Sequence, residues 1–369
     1  MTLLLFLIFI GTTLVQLFYW LFIFSKLALY KVPLLMDEDD EQAPISVIIC
    51  ARNEAENLKK NLDLFLNQNY RSFEIIVVND HSTDQTAEVV LNFQKKYANL
   101  RLVNCSGHKL PGKKAALTVG IKAARYDTIA LSDADCQPAS PDWLRLMQGA
   151  LRQKVKIGLG YSPYQSHRGF LNLFIRFETI YTAIQYFSFA LMGMPYMGVG
   201  RNLIYSKSVF FQTKGFQKHQ NIASGDDDLF VNEAAQYANV QIVIHPGAFV
   251  FSEPKRTWRG YYHQKSRHLS TATSYQGRHQ VWLGALSLSH ALHYLLAISL
   301  LLGGTFVIPI FITVLVRMAV VSWTYYNVLQ KLQAMALWRW IPLLDAAYVL
   351  YYLVFAPALL IGRKDVWKQ

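Results

Sequence analysis

Asp133 and Asp135 stand two residues apart, directly after the apolar run 128–131. Off the end of a strand, a turn brings two such carboxylates to one point, and hard oxygen ligands of this kind suit Mg2+ or Mn2+. Mg2+ takes one or two carboxylates and fills its shell with water and substrate phosphates, which fits a nucleotide diphosphate. A polar turn with an N-cap accounts for the same two residues. Asp226, Asp227 and Asp228 form a second acidic cluster. Helix N-termini favour negative charge, so capping explains one carboxylate. Three exceed that need, and crowded like charges raise a carboxylate's pKa towards the range of a general base. A third segment, from Gly107 to Lys114, nearly spells a phosphate-binding loop, G-x-x-x-x-G-K-[ST]. Lys114 takes the place of the metal-binding hydroxyl, and Pro111 removes one N–H from the phosphate cradle. Lys113 remains able to neutralise a phosphate.

The elements that must position these groups alternate. Residues 46–50 are a short apolar run that reads as a buried strand, and 74–78, 100–105 and 128–131 read as the next three strands. Between them lie helical patterns. One opens at Asn53, with Glu56 three residues on and Leu58, Leu62 and Leu66 at helical spacing. The second opens at residues 82–84 and runs to about 97, and the third covers 113–124. Further on, a helical segment follows Asp228 to about 237 and a strand covers 240–244. Strands alternating with helices predict an α/β fold with a doubly wound, mostly parallel sheet. Ligands of such sheets sit at the carboxyl ends of the strands. The polar clusters Arg52-Asn53-Glu54, Asn79-Asp80 and Asp133-Ala134-Asp135 fall at those ends.

Taken in order, Ala51-Arg52-Asn53-Glu54, Asn79-Asp80-His81-Ser82, Gly112-Lys113, Ser132-Asp133-Ala134-Asp135, residues 198–202, Gly225-Asp226-Asp227 and Gln264-Lys265-Ser266-Arg267-His268 form a recognisable set. It resembles the membrane-anchored branch of the family 2 glycosyltransferases, over about residues 44–270 and the flanking apolar segments. The resemblance implies the A-type glycosyltransferase (nucleotide-diphospho-sugar transferase) fold, an inverting transfer and a divalent cation, Mg2+ or Mn2+. It also implies a nucleotide-sugar donor, with UDP favoured, and a membrane-proximal acceptor that is lipid-linked or a polysaccharide. Carried over by position, Asn53, Glu54 and Asp80 hold the nucleoside, Lys113 sits by the nucleotide, and Asp133 touches the ribose or diphosphate. Asp135 takes the metal, Asp227 is the general base, and Gln264 and Arg267 match the Gln-x-x-Arg-Trp motif at the leaving group. The physics agrees: cations stabilise a leaving diphosphate and a carboxylate takes the acceptor's proton. His268 departs from the motif's Trp, and an imidazole is a poorer stacking plate for a sugar. This favours transfer of one or a few sugars over processive polysaccharide synthesis, which stays open as an alternative. A P-loop ATPase or kinase built on Lys113, and a non-catalytic transport subunit, are the other readings.

Composition places the chain at a membrane. It has 369 residues, 53% hydrophobic and only 16% charged, with a net charge of +12 and three Cys. Disorder and a disulfide scaffold are excluded. Residues 2–25 contain no Asp, Glu, Lys, Arg or His, and Lys26 and Lys31 follow. This predicts an N-terminal transmembrane helix (residues 1–29) with the next segment cytosolic. A cleaved signal peptide would need a basic start and a small-residue cleavage site, and neither is clear. Residues 30–43 read as an acidic linker and 44–278 as a cytosolic catalytic domain. Residues 279–369 hold about three spans, at 282–302, 305–325 and 341–361. Arg317 would then lie inside a span, which is costly unless it faces protein or water. Lys255, Arg256, Arg259, Lys265, Arg267 and Arg278, among Trp258, Tyr261 and Tyr262, read as a belt touching anionic membrane lipids. Nothing points to nucleic acid.

Overall fold

The computed structural model describes residues 1–33, 42–105, 112–152, 154–222 and 224–360, side chains of 357–360 excepted. The acidic run 37–41, the Gly107–Pro111 part of the phosphate-loop motif and the end of the chain lie outside those residues.

Among the described residues nine strands form two sheets: β1 Ile45–Ala51, β2 Phe73–Asn79, β3 Leu100–Asn104, β4 Thr128–Asp133, β5 Cys136–Pro138, β6 Val155–Gly160, β7 Leu203–Ser206, β8 Asn239–Val243 and β9 Val250–Ser252. The main sheet has the order β3-β2-β1-β4-β7-β6-β8, and β5 pairs with β9 separately. The block β3-β2-β1-β4 is parallel, β7 runs antiparallel to both β4 and β6, and β8 is parallel to β6. The sheet is therefore mostly parallel, with one reversed strand in its middle.

Its two faces explain the continuous apolar runs. Val47, Ile49, Ile75 and Val77 pack with Leu58, Leu62 and Phe65 of the helix Ala55–Leu66. Ile48, Cys50, Ile76 and Val78 pack with Ala116, Leu117 and Ile121 of the helix Lys113–Ala123. Alternate residues of each strand thus bury against opposite helix layers. Gly120 sets how closely that second helix lies: a Cβ there would stand 2.6 Å from Ile48 Cγ2 and 2.9 Å from Val78 Cγ2. The close approach fixes the height of Lys113 at the helix's first turn.

The helix ends are capped across the chain. Asn53 takes φ 55° and does not cap its helix. Asp84 Oδ2 accepts from Ala55 N at 3.1 Å, while its Oδ1 accepts from Thr86 N at 3.0 Å, at the start of the helix Thr86–Gln94. One carboxylate therefore caps two helices. Asp84→Ala is expected to cost about 1–2 kcal/mol, since loss of a single cap costs ~1 kcal/mol. Chemical denaturation of the variant measures it.

Among the described residues four helices are long and apolar enough to cross a membrane: Thr2–Ala28, Gly277–Leu302, Val307–Lys331 and Met335–Ala356. Leu295, Ile298, Ile308, Phe311, Leu315, Leu350 and Leu353 are exposed on their outer faces. The N-terminal helix contains a π-helical stretch, Tyr19–Phe24, whose Trp20 ring lies 5.2 Å from Tyr325 and 6.3 Å from Tyr181. The apolar helices and the sheet thus share one core. Arg317 is 1% exposed and faces protein. Its Nη1 lies 2.6 Å from Asp345 Oδ2, and its Nη2 donates to Gln16 Oε1 at 3.0 Å. Tyr294 OH donates to the same Asp345 oxygen at 2.6 Å. Arg317 therefore ties all four helices together.

The basic-aromatic belt is corrected in part. Lys265 is paired with buried Glu178, and Tyr261 is buried, whereas Trp258 and Arg259 remain exposed. The helix Trp258–Leu269 turns one side inward, so its polar pattern serves an interior wall as well as a surface.

Candidate functional site

A cavity of about 1350 Å³ opens at the carboxyl ends of β1 and β4. Glu54, Lys113, Asp133, Asp135, Asp227, Gln264 and Arg267 all line it. Asn53 and Asp80 do not. Asn53 Oδ1 accepts from Thr83 N at 2.8 Å, which joins the loops after β1 and β2. Asp80 is buried beside them at the end of β2. Its Oδ1 lies 2.9 Å from His81 Nδ1, and its Oδ2 has no hydrogen-bond partner among the described residues. A buried, half-satisfied carboxylate is costly and suits a ligand's N–H or O–H donor.

Lys113 is the hub of the acidic clusters. Its Nζ lies 2.8 Å from Asp133 Oδ1, the last residue of β4, and 3.2 Å from Asp226 Oδ2. Burial works against the ammonium charge, yet Asp133, Asp226 and Asp227 more than offset it and hold the Lys113 pKa well above its usual value. Asp226 feels burial in the opposite sense, but the ammonium beside it holds its carboxyl below the ordinary range. Lys114, next in the chain, has another task. Its Nζ donates to the carbonyls of His219 (2.7 Å) and Ile222 (2.9 Å) and so ties down the segment before the acids.

Asp227 is held at both oxygens: Oδ2 accepts from Gly200 N at 2.7 Å and Oδ1 from Asp228 N at 2.8 Å. Burial, then the charges of Asp226 and Asp228, push its pKa up to about 7. Asp227 is also the N-cap of the helix Asp228–Ala234, and Asp228, its first residue, points inwards, bonded to Thr271 Oγ1 and to Tyr275 OH (2.7 Å). The three neighbours therefore divide their roles. Asp226 neutralises a cation, Asp228 anchors a helix, and Asp227 faces the cavity with a pKa suited to taking a proton near neutral pH.

Ligand atoms of Asp133, Asp135 and Cys136 lie within 4.8 Å of one another. Burial and then the charge of Asp133 raise the Asp135 pKa, so a cation would relieve the crowding. Burial holds Cys136 as a thiol, which leaves a two-carboxylate donor set. That set fits Mg2+ or Mn2+, with Asp135 the freer ligand because Asp133 already shares Lys113.

The segment 198–202, one of the ordered set of sequence motifs, contributes three separate functions. Gly200 donates to Asp227. Asn202 Nδ2 donates to the carbonyls of Tyr161 and Ala248, both at 2.8 Å, and fixes the turn. Arg201 places its guanidinium 4.5 Å over the Tyr164 ring, with Nη1 buried and unpartnered among the described residues. Burial opposes its charge, but Tyr164, Asp135 and Asp133 are among the neighbours that more than offset it. Gln264 Nε2 donates to Tyr164 OH at 3.2 Å, so Tyr164 links the two motifs. Arg201 was missed as a site residue; a lone cation inside a glycine-rich turn beside an acidic pair was the available signal. Arg267 lies next to His268 Nε2 at 3.3 Å and acts electrostatically on Asp226.

Residues 46–208 match the family model described as glycosyl transferase family 2. A probable glycosyltransferase of Bacillus subtilis, YdaM, is 25% identical over 249 residues, covering 64% of this chain and 57% of YdaM. A dolichyl-phosphate beta-glucosyltransferase of Trichomonas vaginalis, ALG5A, is 38% identical over 113 residues, covering 28% of this chain and 34% of that protein. Among solved structures, the mannosyltransferase PcManGT of Pyrobaculum calidifontis, in complex with GDP-Man and Mn2+, superposes with a TM-score of 0.58. It is 17% identical, with 95% of this chain and 98% of that chain covered, and shows a shared fold.

Proposed function

From the match of residues 46–208 to the glycosyl transferase family 2 model, we propose that the chain transfers a sugar from a nucleotide-diphospho-sugar to a membrane-proximal hydroxyl acceptor with inversion. The observation that carries this reading is the convergence of Asp135, Lys113, Asp227 and Arg267 on one cavity. Asp133 and Asp135 would hold Mg2+ or Mn2+, which supplies positive charge to a diphosphate. Lys113, Arg201 and Arg267 offer further positive charge where the leaving group gains negative charge. The acceptor oxygen bonds to the anomeric carbon, the bond from that carbon to the diphosphate oxygen breaks, and the acceptor proton passes to Asp227. The nucleoside diphosphate leaves on the opposite face, so no protein nucleophile is needed. Asp80, Asn53 and Glu54 are assigned to the nucleoside, with uridine the first base to test. Residues 1–29 and 279–369 anchor the protein, and the domain at 44–278 faces the cytosol.

The test is release of nucleoside diphosphate from a panel of UDP- and GDP-sugars by purified protein, with Mn2+, Mg2+ or EDTA. Metal-dependent release from one donor supports the reading. Release that ignores EDTA contradicts the metal assignment, and hydrolysis confined to ATP contradicts the whole.

A further inference from the structure

The acceptor's chemistry can be read from the far wall of the cavity, given the glycosyltransferase reading above. Away from the acids, the cavity continues among the helices Phe170–Leu191, Trp258–Leu269, Gly277–Leu302 and Ile341–Leu360. Two of these belong to the apolar set. The wall there carries Gly284, Ser287, Tyr348 and Tyr351. A Cβ at Gly284 would meet nothing within 4 Å, so the cleft is open at that point. Tyr348 and Tyr351 stack at 4.6 Å, and Phe174 lies 6.2 Å from Tyr348.

The charge of this wall is cancelled. Lys265 Nζ lies 2.5 Å from Glu178 Oε2, with side chains 12% and 3% exposed. Neither ion is open to a ligand without breaking the pair. The other cations lining the cavity stand at its acidic end or at its surface: Lys113 holds two aspartates, Arg201 and Arg267 lie in the field of Asp133, Asp135 and Asp226, and Lys255 is exposed. We propose that the cleft takes a neutral, hydroxyl-bearing amphiphile, a glycolipid whose sugar hydroxyl receives the transferred sugar, and not a lipid phosphate.

Two arguments support this choice. A phosphate monoester passing this wall would meet the Glu178 carboxylate, whose neighbouring cation Lys265 is already paired with it, and like-charge contacts are strongly unfavourable. A phosphate oxygen is also already ionised at neutral pH, its second pKa being about 6, and needs no base. An alcohol must lose its proton as it attacks, which is the service Asp227 is placed to give. The open, aromatic cleft between apolar helices accepts a lipid tail, and its hydroxyls (Ser287, Tyr348 and Tyr351) can bond a sugar.

The experiment titrates the full-length protein with monoglucosyldiacylglycerol or undecaprenyl phosphate and follows retention by native mass spectrometry, with Mn2+ and the nucleotide of its donor present. Wild type is expected to retain the glycolipid at roughly tenfold lower concentration or less, a preference of about 1.4 kcal/mol or more. Gly284→Phe should lose glycolipid retention while keeping the nucleotide. Glu178→Gln, which leaves Lys265 unpaired, should narrow or reverse the preference. Equal or tighter retention of undecaprenyl phosphate by wild type overturns the proposal, as does glycolipid retention unchanged by Gly284→Phe. Nucleotide retention in the same spectra separates the failures. If nucleotide and Mn2+ bind but the phosphate lipid is preferred, only the acceptor assignment fails; if no nucleotide binds, the glycosyltransferase reading itself fails.

Discussion

Replacing Asp227 by Asn is expected to lower the transfer rate by roughly 10²–10⁴-fold, the usual contribution of a positioned general base, while leaving nucleotide binding intact. The carboxamide is nearly isosteric. Its oxygen can still accept one of the two N–H bonds, from Gly200 or Asp228, so the turn survives. What is lost is the only oxygen pair in the cluster that is committed neither to Lys113, as Asp226 is, nor to Thr271 and Tyr275, as Asp228 is. The same argument fixes the pH dependence. The Asp227 pKa is raised to about 7 in the folded protein, and the base works only as the carboxylate. The rate should therefore fall as the pH drops through about 7 and level off above it, and this limb should vanish in Asp227→Asn. A variant that loses nucleotide binding together with activity would make Asp227 a structural residue. A profile flat between pH 5 and 8 in wild type would remove it from proton transfer.

The second large effect lies in the helix bundle. Asp345→Ala is expected to destabilise the protein by about 3–5 kcal/mol, because it strands the Arg317 guanidinium among apolar helices. Asp345 is the sole carboxylate bonded to Arg317 among the described residues, and Tyr294 shares the same oxygen. The double variant Arg317→Met/Asp345→Leu removes both charges and should recover most of the lost stability, since apolar replacements of buried pairs are often neutral. Thermal unfolding of the detergent-solubilised variants measures both. Asp345→Ala melting with wild type would mean that water or lipid headgroups reach Arg317. A double variant as unstable as the single one would place the cost in packing and not in charge.

The parallel half of the sheet was legible in the sequence because β1, β2 and β4 are buried on both faces and read as apolar runs, while β3 at the edge kept enough of the pattern in Leu100, Leu102 and Val103. β5, β6, β7 and β9 were not. They are three to six residues long, and β6 carries Gly158 and Gly160, which leave no apolar signature. The caps were misplaced for a physical reason: Asn53 has the right residue type at the right distance from a helix, but Asp84, 29 residues beyond Ala55, supplies the carboxylate. The acids at Asp133, Asp135 and Asp227 could be found because each lies at a strand or helix end with a second acid within two residues of it. Arg201 could not be assigned in that way, since its aromatic seat, Tyr164, is far from it along the chain. The neutralised cleft was equally hidden. Glu178 and Lys265 pair across two helices, and Lys265 in sequence looks like one more basic residue facing a membrane. Arg317 was flagged as needing protein or water, and its partners Gln16, Tyr294 and Asp345 come from three other helices.

The most direct test of the central claim, a metal-assisted nucleotide-sugar site, is thermal stabilisation of the purified protein. UDP, GDP, CMP and ATP are compared, each with Mn2+, Mg2+ or EDTA, on wild type and Asp135→Ala. A nucleotide that binds only the native state stabilises by mass action, by about 2.7 kcal/mol at a hundredfold excess over its Kd. The predicted result is stabilisation by UDP or GDP that needs the metal and is lost in Asp135→Ala. Stabilisation by ATP alone, unaffected by EDTA and intact in Asp135→Ala, would contradict it.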